Sequence, residues 1–343
     1  MLCMFIRNFP VHALARALRV FCATALGLLT SALPQWAVAQ SILNEPLSLD
    51  TGSGVLAGSL MLPKRPEAVP LAILVAGSGP TDRNGNNPFA EKLNTLQFLA
   101  KQLASLGVAS VRYDKRGIGA SVAAAPDERT LRVAQYASDV GYWINRFKND
   151  PRFSHIVLIG HSEGALMASL AATEHQVDAL ILLSGSGRNI ATVLAEQLYQ
   201  ALPEPLFAQS LRIIETLQQG QHVDQVPDAL APIFRSTVQP YLSSLFAYEP
   251  AEVFAQTQMP TLIVWGDQDH QVSRADAQAL ASARPDAAVV MIQGMDHMLR
   301  ISTSAGKKYP PNSPLAWQLG VSMEKFLRNQ GILPPLSDTS SRR

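Results

Sequence analysis

One stretch near the middle of the chain limits the possible fold more than any other. An apolar run, residues 156–159, leads into Gly160-His161-Ser162-Glu163-Gly164, and small and apolar residues follow at 165–172. The first run has the composition of a buried strand and the last that of a helix. Because the connection is so short, Ser162 must take strained backbone angles, and the flanking glycines let neighbouring backbone pass close. The pattern therefore predicts a serine hydroxyl held at the edge of a sheet.

The rest of the chain alternates between strand-like and helix-like segments. A hairpin is expected around residues 52–54, and the later strands are predicted at 71–76, 108–113, 155–160, 177–183, 261–265 and 288–292. Helical periodicity is found at 89–106, 128–147, 165–172, 274–283 and 315–329. Such alternation is typical of a mostly parallel sheet with helices on both faces. We therefore predict an α/β fold with a doubly wound sheet.

The alternation is broken once, between Asn189 and Met259. This stretch is helical in pattern, contains several prolines, and is long for a simple connection. We interpret it as a helical cap, 189–259, inserted over the carboxyl ends of the strands, where such sheets bind ligands. A pair of ordinary surface helices is the alternative. The predicted core then has two parts, 40–188 and 260–330, and a loose tail is expected at 331–343.

The first forty residues have a different composition. Their only charges are three arginines, an apolar stretch covers 20–33, and Ala37-Val38-Ala39 precedes Gln40. This is the pattern of a secretory signal peptide, predicted here as residues 1–39. An uncleaved anchor is the alternative, but Pro34 and the Ala-Val-Ala site favour cleavage. We therefore expect a periplasmic or secreted protein with no stable membrane span after cleavage.

The cysteines and the net charge depend on the same segment. Both cysteines, Cys3 and Cys22, lie in it. The mature chain would contain no cysteine, which excludes a disulfide and a cysteine-ligated metal site. Removal of three arginines changes the formal net charge from +1 to −2. Nothing in this charge balance indicates a nucleic-acid partner.

A serine hydroxyl needs a base to accept its proton and an acid to hold that base. In sheets of this kind the chain order is serine, acid, histidine. His297 follows the last predicted strand and is the predicted base, with His270 as the second candidate. His175 ends the helix after the serine and His222 lies in the predicted cap, so neither is expected at the site.

The acid is expected after the preceding strand, in Trp265-Gly-Asp-Gln-Asp-His270. The first aspartate, Asp267, can hydrogen-bond its own backbone and shape the turn. The second, Asp269, can then reach the histidine. We therefore predict Asp269 as the acid and retain Asp267 as the alternative.

Two backbone amides are predicted to stabilise a developing oxyanion. One belongs to Glu163, directly after the serine. The other belongs to Ser78, in the glycine-rich loop after the strand at 71–76, where Gly77 and Gly79 permit a close backbone approach. The alternative is that this loop is only a turn.

From about residue 45 to 330 these motifs resemble the α/β-hydrolase superfamily, and within it secreted or cytosolic esterases of the serine-aminopeptidase-like group. The matching segments are the Gly-Ser-Gly-Pro-x-Asp-Arg loop at 77–83, Asp-x-Arg-Gly-x-Gly-x-Ser at 114–121, the serine turn at 160–164, Gly-Asp-x-Asp at 266–269 and Asp-His at 296–297. The resemblance implies hydrolysis of a small-molecule carboxylic ester without a cofactor or a metal.

The resemblance also concerns four charged residues near the site. Asp82, Arg83, Asp114 and Arg116 are expected to buttress the surrounding loops. A second possible role for Arg83 is to bind a carboxylate of the substrate.

Two alternatives to esterase activity remain from the sequence. A peptidase, amidase or thioesterase could use the same residues, and a peptidase would need a cap carboxylate such as Glu196, Glu204 or Glu215 to bind an amino terminus. A non-catalytic binding protein on a hydrolase scaffold is the more remote alternative.

The N-terminal pattern generates a first prediction. Protein purified from its native host should begin at Gln40, because cleavage follows the Ala-Val-Ala site. Intact-mass and N-terminal peptide mass spectrometry measure this directly. A soluble, mature protein that still begins at Met1 would contradict the prediction.

Overall fold

The computed structural model describes residues 42–88, 90, 92–302, 309–310 and 312–335. The predicted signal peptide and its cleavage site lie outside the described residues, so cleavage stays a prediction. Among the helices that the structure describes, none combines the length and the hydropathy needed to cross a lipid bilayer.

Eight strands form one sheet in the described chain. They are β1 (Ile42–Asp50), β2 (Val55–Pro63), β3 (Val69–Val75), β4 (Ala109–Tyr113), β5 (Phe153–His161), β6 (Ala179–Leu183), β7 (Thr261–Gly266) and β8 (Ala288–Ile292). Their order across the sheet is β1-β2-β4-β3-β5-β6-β7-β8. β2 is antiparallel to β1 and β4, and all other neighbours are parallel. The predicted α/β fold is confirmed, and it is the α/β-hydrolase fold.

Helices cover both faces of this sheet. They are α1 (Thr95–Ser105), α2 (Val133–Phe147), α3 (Gly164–Glu174), α4 (Ile190–Ala201), α5 (Leu206–Gln218), α6 (Ala231–Phe234), α7 (Gln239–Phe246), α8 (Pro250–Ala255), α9 (Arg274–Ala283) and α10 (Trp317–Asn329). Alternate residues of β3 face opposite sides, so Ile73 belongs to the core under α2 and α3, and Leu74 to the core under α1 and α10. A parallel strand buried on both faces reads as a continuous apolar run.

Two helices begin later than their periodicity predicts. α1 starts at Thr95 rather than at 89, because Asn94 has a left-handed φ of 51° and the Asn84 carbonyl accepts hydrogen bonds from the first amides of the helix. The segment before α2 contains a short 3-10 turn at 128–130, and extended backbone at Arg132 separates the two. Both starts depend on contacts or backbone angles that helical periodicity does not encode.

The packed chain continues past the predicted start of the loose tail at residue 331. Ile332 and Leu333 are buried in the core, and the amides of both donate to the Leu327 carbonyl at the end of α10. These two apolar side chains explain why the chain stays packed there. Residues 336–343 lie outside the described part.

The segment predicted as a cap contains the five helices α4 to α8, between β6 and β7. α4, α5 and α7 contact one another, and α7 also contacts α2. α8 packs instead against α3 and α9 of the core. The short helices α6 and α8 were not expected from periodicity, and each has a proline in its first turn.

Candidate active site

Ser162 lies in the turn between β5 and α3 with a φ of 55°, the positive value that the sequence pattern predicts. A Cβ atom on Gly160 would lie 2.4 Å from the carbonyl oxygen of Gly164. A Cβ atom on Gly164 would lie 2.3 Å from the carbonyl oxygen of Val75, at the end of β3. Both glycines are therefore required by close packing, and together they hold the serine at the carboxyl edge of the sheet.

A continuous hydrogen-bonded chain connects the three residues predicted as catalytic. His297 Nε2 lies 3.0 Å from Ser162 Oγ, and His297 Nδ1 lies 2.9 Å from Asp269 Oδ2. Asp269 and His297 are both buried. The geometry suits a histidine that carries its proton on Nδ1, bound by the carboxylate, and accepts the serine proton at Nε2.

The backbone of its own turn holds Asp269 in place. Its Oδ1 accepts hydrogen bonds from the amides of Gln271 and Val272, both at 2.9 Å. Burial raises the pKa of Asp269, but the His297 hydrogen bond and charge and the two amides outweigh it, so the pKa lies below its ordinary value. The carboxylate is therefore available in ionised form to hold an imidazolium.

Asp267 does not contact His297, and its contacts differ from those expected. Its Oδ1 accepts a hydrogen bond of 2.6 Å from the Gly294 amide, in the loop after β8. The prediction that Asp267 bonds to its own turn was wrong, because Asp269 occupies that role while it also binds the histidine. Asp267 instead ties the acid loop to the loop that carries His297.

Asp296 shapes the backbone next to His297. Its Oδ1 accepts hydrogen bonds from the amides of Met298 and Arg300. Burial raises the pKa of the Asp296 carboxyl above its ordinary value. The two hydrogen bonds lower that pKa, but by less than burial raises it.

The other candidate histidines lie away from the serine. His270 is exposed. His175 lies against Gly141 of α2, and His222 lies near Asp224 with about half of its side chain exposed.

The predicted oxyanion loop reaches the serine. A Cβ atom on Gly77 would lie 3.1 Å from Ser162 Cβ, so only a glycine backbone fits without displacement. Ser78 lines the same cavity as Ser162 and Glu163. Within the described residues, neither the Ser78 amide nor the Glu163 amide donates to a protein acceptor. Both amides can therefore donate to a ligand oxygen.

A cavity of about 500 Å³ opens beside Ser162. Helices of the inserted segment supply much of its apolar lining, including Ile190, Val193, Leu194, Leu242, Leu245 and Phe246. Two polar contacts lie among these groups: Tyr241 Oη donates to Glu163 Oε1, and Lys115 Nζ donates to the Gly77 carbonyl, both at 2.6 Å. Sequence reasoning missed Lys115 and Tyr241 because no spacing rule connects either residue to the serine.

Arg83 and Asp114 hold the surrounding loops together, as expected. The Arg83 guanidinium lies 2.7 Å from Asp114 Oδ2 and also donates to the Gly58 carbonyl, and the Arg83 amide donates to Asp114 Oδ1. Arg83 does not line the cavity. These contacts favour the buttressing role over binding of a substrate carboxylate.

His161, directly before the serine, supports the loop that carries the predicted base. Its Nε2 lies 2.8 Å from the His297 carbonyl oxygen, and the two rings lie 5.1 Å apart. Burial, reinforced by the neighbouring His297, lowers the pKa of His161 to about 4. His161 is therefore neutral near pH 7 and donates through Nε2 to the carbonyl.

The buried state of His161 predicts a loss of stability in acid. The pKa of His161 is lower in the folded protein than in the unfolded chain. At pH values between these two pKa values the unfolded chain binds more protons, so the free energy of unfolding falls as the pH falls through this range. From pH 7.5 to pH 5, His161 should account for a loss of about 2 kcal/mol. Urea unfolding at both pH values measures this loss. Between pH 7.5 and pH 5, His161→Gln should lose about 2 kcal/mol less of its free energy of unfolding than the wild type loses.

The exposed His222→Gln variant is the matched control and should behave like the wild type. Equal acid sensitivity of wild type and His161→Gln would show that His161 is not held neutral by the fold.

Comparison with known proteins supports this fold. The family model described as "Hydrolase_4: Serine aminopeptidase, S33" matches residues 87–301. The chain is 23% identical over 272 residues to esterase EstD of Thermotoga maritima, covering 74% of this chain and 60% of that protein. The match therefore spans less than two thirds of the length of this relative.

Solved structures with the same fold include an esterase and a proline iminopeptidase. Est1E from Butyrivibrio proteoclasticus, solved with ferulic acid bound, superposes with a TM-score of 0.57 at 20% identity, covering 83% of this chain and 98% of that one. The Pyrococcus furiosus esterase PF2001 superposes with a TM-score of 0.56 at 15% identity, covering 84% of this chain and 91% of that one. A proline iminopeptidase from Mycobacterium smegmatis superposes with a TM-score of 0.55 at 13% identity, covering 83% of this chain and 98% of that one.

At these identities the superpositions establish the fold alone. The family model covers more than half of the chain, including the serine turn, the acid loop and His297. The protein therefore belongs to the serine aminopeptidase S33 family of α/β-hydrolases.

Proposed function

We propose that this protein hydrolyses carboxylic esters by acyl transfer, with Ser162 as nucleophile, His297 as general base and acid, and Asp269 as the residue that orients the histidine. The observation that carries this proposal is the unbroken chain of hydrogen bonds from Asp269 through His297 to Ser162. Each contact lies within the distance needed for proton transfer or for fixing a tautomer.

In the first half of the reaction, Ser162 Oγ attacks the ester carbonyl while its proton passes to His297 Nε2. The tetrahedral intermediate collapses as His297 returns that proton to the leaving alcohol, which leaves an acyl-serine. Water then attacks the acyl-serine as its proton passes to His297 Nε2, and the second tetrahedral intermediate collapses as that proton returns to Ser162 Oγ, which releases the carboxylic acid. Asp269 stabilises the imidazolium in both halves.

The amides of Ser78 and Glu163 are the proposed oxyanion donors. The close approach of Gly77 to Ser162 supports this role for the first, and the position of Glu163 directly after the nucleophile supports it for the second. Donors fixed in advance stabilise the developing charge without reorganisation.

The cavity favours a substrate with an apolar acyl or alcohol group. Its lining is dominated by aliphatic and aromatic side chains from the inserted segment. Burial of apolar surface contributes about 25 cal/mol per Å², so the substrate's apolar group supplies the binding energy. Est1E was solved with ferulic acid, a carboxylic acid that carries an aromatic ring, and an ester of such an acid would present an apolar group of this kind.

The surroundings of the cavity favour an ester over a peptide with a free amino terminus. Glu196, Glu204 and Glu215, the carboxylates that a peptidase would need, are exposed and do not line the cavity. Glu196 is bound by Arg188. The carboxylates in the described cavity wall are already engaged, Glu128 with Arg235 and Glu163 with Tyr241.

We propose further that the enzyme acts in the periplasm or outside the cell. The basis is the N-terminal sequence pattern alone.

The direct test compares p-nitrophenyl esters of rising chain length with aminoacyl p-nitroanilides. The esters should be hydrolysed with higher kcat/KM, and Ser162→Ala should abolish turnover without unfolding. Faster cleavage of the anilides would favour the peptidase. Absence of any turnover, together with no labelling of Ser162 by a fluorophosphonate, would favour the non-catalytic binding protein.

The contacts of the two aspartates predict different variant properties. Asp269→Asn should lower kcat by roughly 10⁴ with little change in KM, because the carboxylate acts mainly in the transition state. Asp267→Asn should retain much of its rate but lose about 1–2 kcal/mol of stability, because it weakens the bond to Gly294. Steady-state kinetics and thermal unfolding of both variants check this. An inactive Asp267→Asn beside an active Asp269→Asn would assign the acid to Asp267.

A further inference from the structure

Lys115 is a buried lysine in the wall of the cavity that contains Ser162. The residue is 4% exposed, and its Nζ donates a hydrogen bond of 2.6 Å to the Gly77 carbonyl oxygen. The same Nζ lies 5.4 Å from the centre of the Tyr136 ring. Among the described residues no carboxylate forms a salt bridge with it. Burial of an ammonium group costs several kcal/mol of desolvation. Because this cost is large, the position of Lys115 against the Gly77 carbonyl indicates a functional role.

The carbonyl that Lys115 binds belongs to the same peptide group as the Ser78 amide. This peptide is trans, so its C=O and N–H lie in one plane and point in opposite directions. A hydrogen bond that fixes the oxygen therefore fixes the direction of the Ser78 N–H. Gly77 brings this peptide against Ser162, as the 3.1 Å approach of its Cβ position demonstrates.

We propose that Lys115 is a positioning residue of the oxyanion hole, whose ammonium orients and polarises the Gly77–Ser78 peptide so that the Ser78 N–H donates more strongly to the oxyanion. This inference rests on the proposed function. Charge-assisted hydrogen bonds are roughly twice as strong as neutral ones. Each hydrogen bond in a connected chain strengthens the next by about 10–30%.

The charged groups around Lys115 support this role. Burial lowers the pKa of Lys115, and the Glu163 carboxylate opposes that shift and so favours the charged form. Glu163 is itself held by Tyr241 Oη at 2.6 Å. The Glu163 carboxylate thus favours the charged form of Lys115, which orients the Ser78 amide. The backbone amide of Glu163 is the second proposed oxyanion donor.

The test compares Lys115→Met with the wild type and with Lys101→Met, a control at an exposed lysine on α1. With a p-nitrophenyl ester, Lys115→Met should lower kcat by about 10-fold to 100-fold with KM nearly unchanged, less than the 10²–10³ for complete loss of a donor. A trifluoromethyl ketone, whose adduct with serine carries an oxyanion, should bind more weakly by the same factor. The uncharged product alcohol should bind as before, and Lys101→Met should match the wild type throughout.

Three results would overturn the inference. One is a raised KM with unchanged kcat, which would assign Lys115 to substrate binding. Another is an unchanged kcat and ketone affinity in a variant that only melts earlier, which would assign it to stability. The third is an equal loss of affinity for the ketone and the alcohol. If Lys115→Met does not fold, Lys115→Gln, which keeps a donor without the charge, replaces it and should still lower kcat at constant KM.

Ester hydrolysis and ketone binding by the wild type distinguish a failure of this inference from a failure of the proposed function. If the wild type neither hydrolyses the ester nor binds the ketone, the proposed function fails. If it does both and the folded Lys115 variants keep full kcat, the inference alone is overturned.

Discussion

The structure depends on the close packing of two glycines around Ser162. Gly160 and Gly164 bring α3 against β5 and the end of β3 at distances that no side chain would permit. This packing holds the positive φ of Ser162, a conformation that a non-glycine residue adopts only when its surroundings enforce it. In the proposed mechanism, the N-terminus of α3 and the Glu163 amide stabilise the negative charge that develops beside Ser162.

The parallel sheet brings the remaining groups to the same place. β3, β5, β7 and β8 all end at one edge, so the loops after them carry Ser78, Ser162, Asp269 and His297 to a common region. Hydrogen bonds to the backbone of these loops then fix their relative positions. Asp267 binds Gly294, His161 binds the His297 carbonyl, and Lys115 binds the Gly77 carbonyl. The candidate site is thus preorganised by hydrogen bonds from these side chains to loop backbone, as well as by the contacts among Asp269, His297 and Ser162.

The sequence predicted what depends on local pattern and chain order. β8 and α9 have the bounds expected from their apolar runs and periodicity. The hydrogen-bonded chain of Asp269, His297 and Ser162 followed from the position of each residue after a strand. Contacts between distant segments could not be predicted in this way. The start of α1 depends on the Asn84 carbonyl, and the role of Asp267 on Gly294. Lys115 meets Gly77 only because β4 and β3 are neighbours in the sheet.

The central claim is that Ser162 carries the acyl group between the two halves of the reaction. Acid-quenched protein taken during turnover of a slowly deacylating p-nitrophenyl ester, digested and analysed by mass spectrometry, tests it directly. We predict one adduct with the mass of the acyl group, on the peptide that contains Ser162, formed at the rate of the initial burst of p-nitrophenol. Turnover at full rate with the adduct on a different residue, or hydrolysis that continues in Ser162→Ala, would contradict it.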